Sequence, residues 1–346
     1  VQLTARDLNR TLLSRQHLLE RSRRTVPEMV EHLIGLQAQE NLSPYLSLAA
    51  RLEDFDPHAV SVGLEQKHLA RLLTMRGTIH LLVPDDALTL RQWTQPRMDK
   101  ERASSQSIGD ARHLDAATLK EAVSELLADG PMTGKELGLQ LAERFPGPSP
   151  TALTNLARVD LPLAQLPPRG CWQQSGGVVY QYVDRWLERP LREPDPASVV
   201  QRWLRAFGPG TAADVTAWSG VTGMAPIMKA MDLVQHTDET GRILYDVPDA
   251  EIVPGEQPVP ARLLGTYDNL WLSHAGRDRV TAPENRKRWM GLNGGNANTV
   301  FVDGWLAGLW RVTDGEIEVE LFRALTRAEQ KGLDDEVERT RSLLAS

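Results

Sequence analysis

Cysteine is nearly absent. The 346 residues hold one, Cys171, so no disulfide can close within the chain, and a cysteine-based zinc site lacks ligands. A lone thiol fits a reducing compartment, and a cytoplasmic location is expected. Lysine is scarce: of 39 basic residues seven are Lys and the rest Arg. Aromatics make up 5%, too few to mark an aromatic cage for a flat ligand. No apolar run approaches the ~18 residues of a membrane-spanning helix. The opening VQLTARDLNR lacks the apolar stretch of a secretory signal, so an unexported chain is expected. Also missing are a phosphate-binding glycine loop, HExxH, G-x-S-x-G and any His–carboxylate cluster at metal-ligand spacing. Neither a cofactor nor a metal is expected.

What is present describes an ordinary folded chain, 41% apolar and 25% charged. Its length allows two or three domains at about 100–200 residues each. A net charge of −7 and a pI near 5.7 argue against a uniformly basic nucleic-acid binder. A GC-rich genome would by itself produce the arginine excess. Arginine is also the better ligand for phosphate and base edges, and salt screening lets a local basic face coexist with an acidic total.

Along the chain, threonines recur where apolar periodicity begins. Thr4, Thr25, Thr133, Thr211 and Thr326 read as helix caps, and Ser43-Pro44 opens a further short helix. Residues 4–20, 64–73 and 115–128 read as helices; TMRGTIHLLV reads as a strand pair or wing broken at Gly77. From 113 the order is helix, turn, helix, helix, strand, Gly-rich turn, strand, that of a winged helix. It recurs after 193, where LRAFGPGTAADV aligns without gaps on LLADGPMTGKEL. After the proline-rich stretch 248–262 the chain turns β-rich, with an Asp303-Gly304 hairpin, and closes on a helix. The expected fold is mainly α with β wings (α+β). It comprises a first winged-helix region (1–112), a second (113–192), a third (193–250) and a C-terminal β-sheet or barrel with a terminal helix (251–346).

Tandem winged helices point to a nucleic-acid surface, although the same fold serves as a protein-interaction module. Arg76, Thr78 and His80 would share one face of a strand and reach phosphate or a base edge; a core histidine salt-bridged to arginine is the equal alternative. Trp172, Gln173 and Gln174 lie at the base or tip of the second wing. The two amides could enter a minor groove, or the hairpin could be plain surface with Trp172 packed inward. His274, Arg277, Arg279, Arg286, Lys287 and Arg288 form the densest basic run of this half, suited to phosphate or simply a solvated face. The tryptophans at 93, 203, 218, 289, 305 and 310 read as core.

Several segments together carry a family resemblance. Gln37-Ala38-Gln39 resembles the Gln-x-Gln motif of the AlkZ-like family of bacterial tandem winged-helix DNA glycosylases. Arg76-Gly77-Thr78-Ile79-His80 is similar to that family's R-x-T-x-H segment, and LPPRGCW (166–172) to its second-wing entry. Tyr267-Asp268-Asn269 with Ser273-His274 and Arg277 resembles its D-x-L-x-x-S-H-x-x-R signature, and TVFVDGWLAGLWR (299–311) its final sheet. The match runs nearly the whole chain. Close relatives carry Asp at the second glutamine, so Gln39 resembles the branch associated with resistance to DNA-crosslinking antibiotics of the azinomycin type.

The resemblance implies a monofunctional glycosylase that releases N7-alkylated purines and unhooks interstrand crosslinks. Its partner would be double-stranded DNA, without a membrane, and the chain is expected to be a monomer. Gln37 and Gln39 would then be catalytic. An N7-alkylated purine is already a good leaving group, so the remaining task is to place water at C1′, which an amide that donates and accepts can do. Gln39 is assigned to water, Gln37 to water or deoxyribose, and Glu40 to solvent. Two positions apart on a helix diverge by about 200°. The helix must therefore end near Gln37 or the motif must be extended. The rival is a non-catalytic winged-helix transcriptional regulator, for which the glutamine pair would be dispensable.

Overall fold

Five T-x-x-[D/E] segments open five helices. In the computed structural model, which describes residues 1–289 and 297–346, Thr4, Thr25, Thr133 and Thr326 each form a reciprocal capping box with the acidic residue three positions on. Thr211 does the same with Asp214: its N–H donates to Asp214 Oδ2 at 2.9 Å, and the Asp214 N–H donates to its hydroxyl at 3.2 Å. Each box satisfies backbone donors that a helix start leaves unpaired. The helices they open are Ala5–Arg15, Val26–His32, Gly134–Arg144, Ala212–Ser219 and Arg327–Ala345. The first ends at Arg15 rather than at 20. Ser43 is the first residue of the helix Ser43–Arg51 and makes no capping bond there.

The chain packs as two compact units. The first comprises residues 1–57, 196–218 and 222–346, the second 58–195 and 219–221. Each unit gathers segments that are discontinuous in sequence, because long-range pairing outweighs proximity along the chain. In the second unit, strand Ala70–Leu73 pairs antiparallel with Ile79–Leu82 on one side and with Leu163–Gln165 on the other. Val179–Tyr182 and Met132–Thr133 extend the sheet. The hairpin of the first segment thus shares a sheet with the wing of the second.

That sheet corrects the helix expected over 64–73. The helix runs His58–Glu65 and the apolar run after it is strand. All four residues of Ala70–Leu73 are buried, Arg71 included. A strand covered on both faces shows no alternation, so its sequence mimics a helix face.

The helix–turn–helix–helix–hairpin order appears in both expected places. Ala116–Leu126, Gly134–Arg144 and Pro150–Asp160 precede Leu163–Gln165 and Val179–Tyr182. Pro196–Phe207, Ala212–Ser219 and Met224–Ala230 precede the hairpin Val234–Asp238/Ile243–Asp246, whose first strand also pairs parallel with Gln2–Leu3. The internal repeat is structural: Met132 pairs with Tyr180 in one copy, and Gly210 bridges Tyr245 in the other, each just before its capping threonine.

The C-terminal part of the first unit is an open four-stranded antiparallel sheet in the order Arg262–Leu264, Asn298–Val302, Trp305–Thr313, Glu316–Leu321. A sheet is realised, not a barrel. Asn9 ties its Asp303-Gly304 turn to the first helix, donating to Gly304 O at 2.8 Å and Arg279 O at 2.7 Å. Trp203, Trp218 and Trp271 are enclosed in this unit's core, and Trp93, Trp289 and Trp310 are also buried; Trp305 is half-buried. Among the described residues, no helix is long and apolar enough to cross a membrane.

Candidate functional site

The helix Val26–His32 stops immediately before the glutamine motif. Its end is a Schellman motif: the Ile34 N–H donates to Glu31 O (3.1 Å) and the Gly35 N–H to Val30 O (2.9 Å). That geometry puts Ile34 at φ 52° and Gly35 at φ 91°. Glycine takes such a backbone freely, whereas a β-branched residue there is a genuine outlier. Leu36–Gln37 then runs extended. The second of the two geometries open to the motif is therefore the one adopted, and the divergence that a helix imposes does not arise. Gln37 is buried (5% exposed), while Gln39 and Glu40 are exposed. The pair grades from the protein interior to the surface.

The segment 267–275 holds this loop and much of the unit around it. Asp268 is fully buried. It accepts from both terminal nitrogens of Arg51 (2.7 and 2.8 Å), from Ser47 Oγ (2.7 Å) and from the Leu270 N–H (2.9 Å). Burial alone would raise this carboxyl; the Arg51 guanidinium and the three-sided hydrogen bonding hold it below the usual carboxylate range. The same two Arg51 nitrogens also donate to Ser47 O and Gln16 Oε1, while its Nε is buried without a hydrogen-bond partner among the described residues. Asn269 turns the other way: its Nδ2 donates to Gly35 O at 2.9 Å and, more weakly, to Leu33 O at 3.4 Å. Trp271 stacks on Trp289 with ring centroids 4.3 Å apart and donates its Nε1–H to Thr299 Oγ1 at 3.2 Å. The Ala275 N–H donates to Asp214 Oδ1 at 3.0 Å.

His274 and Arg279, read as phosphate ligands, belong to this interior. The His274 ring lies 5.4 Å from that of Trp203, and its Nδ1 meets Ser273 Oγ at 2.9 Å. Burial, then the nearby Arg279 charge, push its pKa well below the ordinary histidine value. Arg279 is 5% exposed and donates to Pro209 O at 2.7 Å, beside the Asp214 carboxylate. Both are corrected from DNA contacts to core groups, since a buried side chain cannot touch a phosphate without leaving its partners. Arg277 is half-buried and donates to the His274 carbonyl. Arg286, Lys287 and Arg288 are exposed on the helix Pro283–Trp289. Arg288 is engaged by Glu320 (2.7 Å) and lies 3.7 Å over the Phe322 ring.

In the second unit, Arg76, Thr78 and His80 do not share one strand face. Arg76 sits in the turn between the two strands at φ 57°, Thr78 follows it, and His80 alone is in the strand Ile79–Leu82. His80 is enclosed. Its Nδ1 contacts Thr78 O at 3.0 Å and its Nε2 contacts Arg76 Nη2 at 3.2 Å. A carbonyl can only accept and a guanidinium can only donate, so the proton sits on Nδ1 and the ring is neutral. Burial and then the Arg76 charge push its pKa down to about 3. The core reading applies to His80, whereas Arg76 and Thr78 remain half-exposed. Trp172 is likewise buried, with its N–H on Ser61 Oγ at 2.8 Å, and Gln173 (φ 51°) and Gln174 are exposed beside it.

Arg51, Asp268 and Asn269 were not among the residues singled out for chemistry. Asp268 and Asn269 stood inside a recognised motif, but nothing in the sequence says that they face the glutamine loop and its neighbouring helix. Arg51, one arginine among 32, carries no signal at all.

A family model described as DNA glycosylase AlkZ-like matches residues 30–343. An interstrand DNA cross-link repair glycosylase of Streptomyces sahachiroi is 28% identical over 94% of this chain and 92% of its own length. The solved structure of Streptomyces sahachiroi DNA glycosylase AlkZ superposes with a TM-score of 0.79 at 23% identity, covering 99% of this chain and 98% of that one. With the family match spanning the glutamine loop, both winged-helix copies and the final sheet, the chain belongs to the AlkZ-like family of DNA glycosylases.

Proposed function

We propose that this glycosylase hydrolyses the N-glycosidic bond of N7-alkylated purines and unhooks interstrand crosslinks, leaving an abasic site, with Gln37 and Gln39 as its catalytic pair. The observation that carries the reading is the glutamine loop. A helix terminates in a strained turn to put two amides on non-helical backbone, one buried and one exposed, with no titratable side chain between them. Such a pair suits a reaction that needs placement more than proton transfer. As the N9–C1′ bond breaks, its electron pair returns to the base and neutralises the N7-alkyl cation. The sugar carries oxocarbenium character until the water oxygen bonds C1′. Gln39 positions that water, Gln37 orients it or the deoxyribose, and the water's proton departs to solvent. Holding the nucleophile in place is a gain of orientation.

DNA contact in this reading falls to the exposed Gln173, Gln174, Arg286 and Lys287 and the half-exposed Arg76 and Thr78, with Arg277 and Arg288 at the margin. Lysine is scarce and none is assigned to a Schiff base, so the enzyme is monofunctional. The site is open enough to accept bulky lesions without full base flipping. The chain acts as a cytoplasmic monomer, and its physiological role is self-resistance to a crosslinking antibiotic of the azinomycin type. The role of the Streptomyces sahachiroi relative in interstrand cross-link repair supports the crosslink substrate.

The test is base release from a duplex bearing one N7-methylguanine, with wild type beside Gln37→Ala and Gln39→Ala. Release by wild type, falling about tenfold or more in either variant (roughly 1.4 kcal/mol in the barrier), is the expected result. Release indifferent to both glutamines discards the site. Tight, sequence-dependent binding without release favours the regulator.

A further inference from the structure

The outlier at Ile34 needs a cause. A β-branched residue at φ 52° is disfavoured by its own Cβ, and such conformations persist only where surroundings over-determine them. Two carbonyls bracket the turn: that of Leu33, just before Ile34, and that of Gly35, the residue after it. Both accept from one nitrogen, Asn269 Nδ2, at 3.4 and 2.9 Å. Asn269 is 2% exposed, and its neighbour Asp268 is anchored by four hydrogen bonds to Arg51, Ser47 and the Leu270 N–H. The amide is thus held by a rigid base and clamps the turn at its first and last peptide planes, Leu33–Ile34 and Gly35–Leu36. The turn ends one residue before Leu36, and its dihedrals set the direction in which Leu36 and Gln37 leave the helix.

We propose that Asn269 is a positioning residue of the glutamine pair: it touches no substrate, and it fixes the Leu33–Gly35 turn so that Gln37 and Gln39 are presented in one orientation. A carboxylate in its place would set a negative charge against two carbonyl oxygens, and alanine would leave both oxygens without that donor. The catalytic part of the proposal rests on the reading of Gln37 and Gln39 given above; the structural part does not.

Two measurements on full-length protein test it. The first is hydrogen–deuterium exchange without DNA. In Asn269→Ala the amides of residues 36–39 should exchange about tenfold faster or more, while those of the Asn298–Val302 strand keep their protection. The second is single-turnover base release from the N7-methylguanine duplex. Asn269→Ala should lose about tenfold or more in rate, with duplex affinity within about twofold. In a Gln37→Ala background the same substitution should cost no more than about twofold, because a residue that acts through the pair adds little once the pair is broken.

Thr133→Ala is the control. It removes the cap of the Gly134–Arg144 helix in the other unit, so it should lower the melting temperature with the rate within about twofold of wild type. Unchanged exchange at 36–39 in Asn269→Ala overturns the proposal. So does a rate loss that multiplies with Gln37→Ala or is matched by Thr133→Ala, since either marks Asn269 as merely structural. If wild type releases no base, the functional reading fails by itself, and the exchange experiment still decides whether Asn269 orders the loop.

Discussion

At Arg51 and Asp268 two full charges lie entirely out of water. Removing a carboxylate or a guanidinium from solvent costs several kcal/mol, and only good geometry with every lone pair engaged offsets it. Here the geometry is good: two Arg51 nitrogens reach Asp268 at 2.7 and 2.8 Å, and Ser47 and the Leu270 N–H occupy the remaining acceptor sites. Breaking the pair is therefore far worse than never having had it. Asp268→Ala should destabilise the protein by about 3–5 kcal/mol in urea unfolding, because Arg51 stays buried without its counter-charge. Replacing both partners together with apolar residues of similar volume should recover much of that loss. A single-variant cost below about 1 kcal/mol would mean that water reaches Arg51 after all. Charge at the residue scale was poorly legible in the sequence for the same reason. His274, Arg279, Arg286 and Lys287 look alike as a basic run, yet the first two are core and the last two surface. Burial comes from distant segments such as Trp203 and Asp214. The glutamine pair was legible only through family resemblance, since two amides one residue apart say nothing by themselves.

Helix starts are the opposite case. A capping box closes within four residues, so its chemistry is complete in the local sequence, and all five threonines read as caps do cap. The Thr133 box holds the second winged helix at the point where Met132–Thr133 leaves the sheet. Thr133→Ala should cost about 1 kcal/mol, seen as a lower thermal midpoint, and Thr133→Ser should restore most of it. An effect on Thr133→Ala smaller than about 0.3 kcal/mol would show that the Gly134–Arg144 helix is held by packing alone. Strands are the harder element. Ala70–Leu73 was misread because its pairing partners lie at 79–82 and 163–165, and a four-residue buried run carries no period of its own. The winged-helix order survived that error because the repeat around Gly130-Pro131 and Gly208-Pro209 is a pattern over dozens of residues.

At the scale of the molecule, the division into units was not legible, since the first unit gathers residues 1–57, 196–218 and 222–346. Each unit encloses a neutral histidine, His80 in one and His274 in the other, and this gives the whole protein a defined response to acid. The His80 pKa is pushed down to about 3 and that of His274 well below its usual value, against about 6.5 in an unfolded chain. Between the folded and unfolded values the unfolded chain binds more protons, so stability rises with pH there. The contribution is complete above about pH 6.5 and is lost as pH falls toward the folded values. Asp268 and Asp214, both held below the carboxylate range, add a second loss below about pH 4, with the same sign. The urea midpoint should therefore be level from about pH 9 to 7 and decline from about 6.5 downward, by up to roughly 1.4 kcal/mol per pH unit for each histidine. His80→Gln, whose amide can still donate to Thr78 O and accept from Arg76, should remove the His80 share of the decline. A midpoint that stays level down to pH 5 would mean that these rings charge freely in the fold. Catalysis should behave differently, because neither Gln37 nor Gln39 titrates. The single-turnover rate should be flat wherever the fold is intact, and its acid limb should coincide with the unfolding curve. An acid limb that precedes unfolding would point to an ionising group in the reaction itself, which a mechanism run on two amides does not contain.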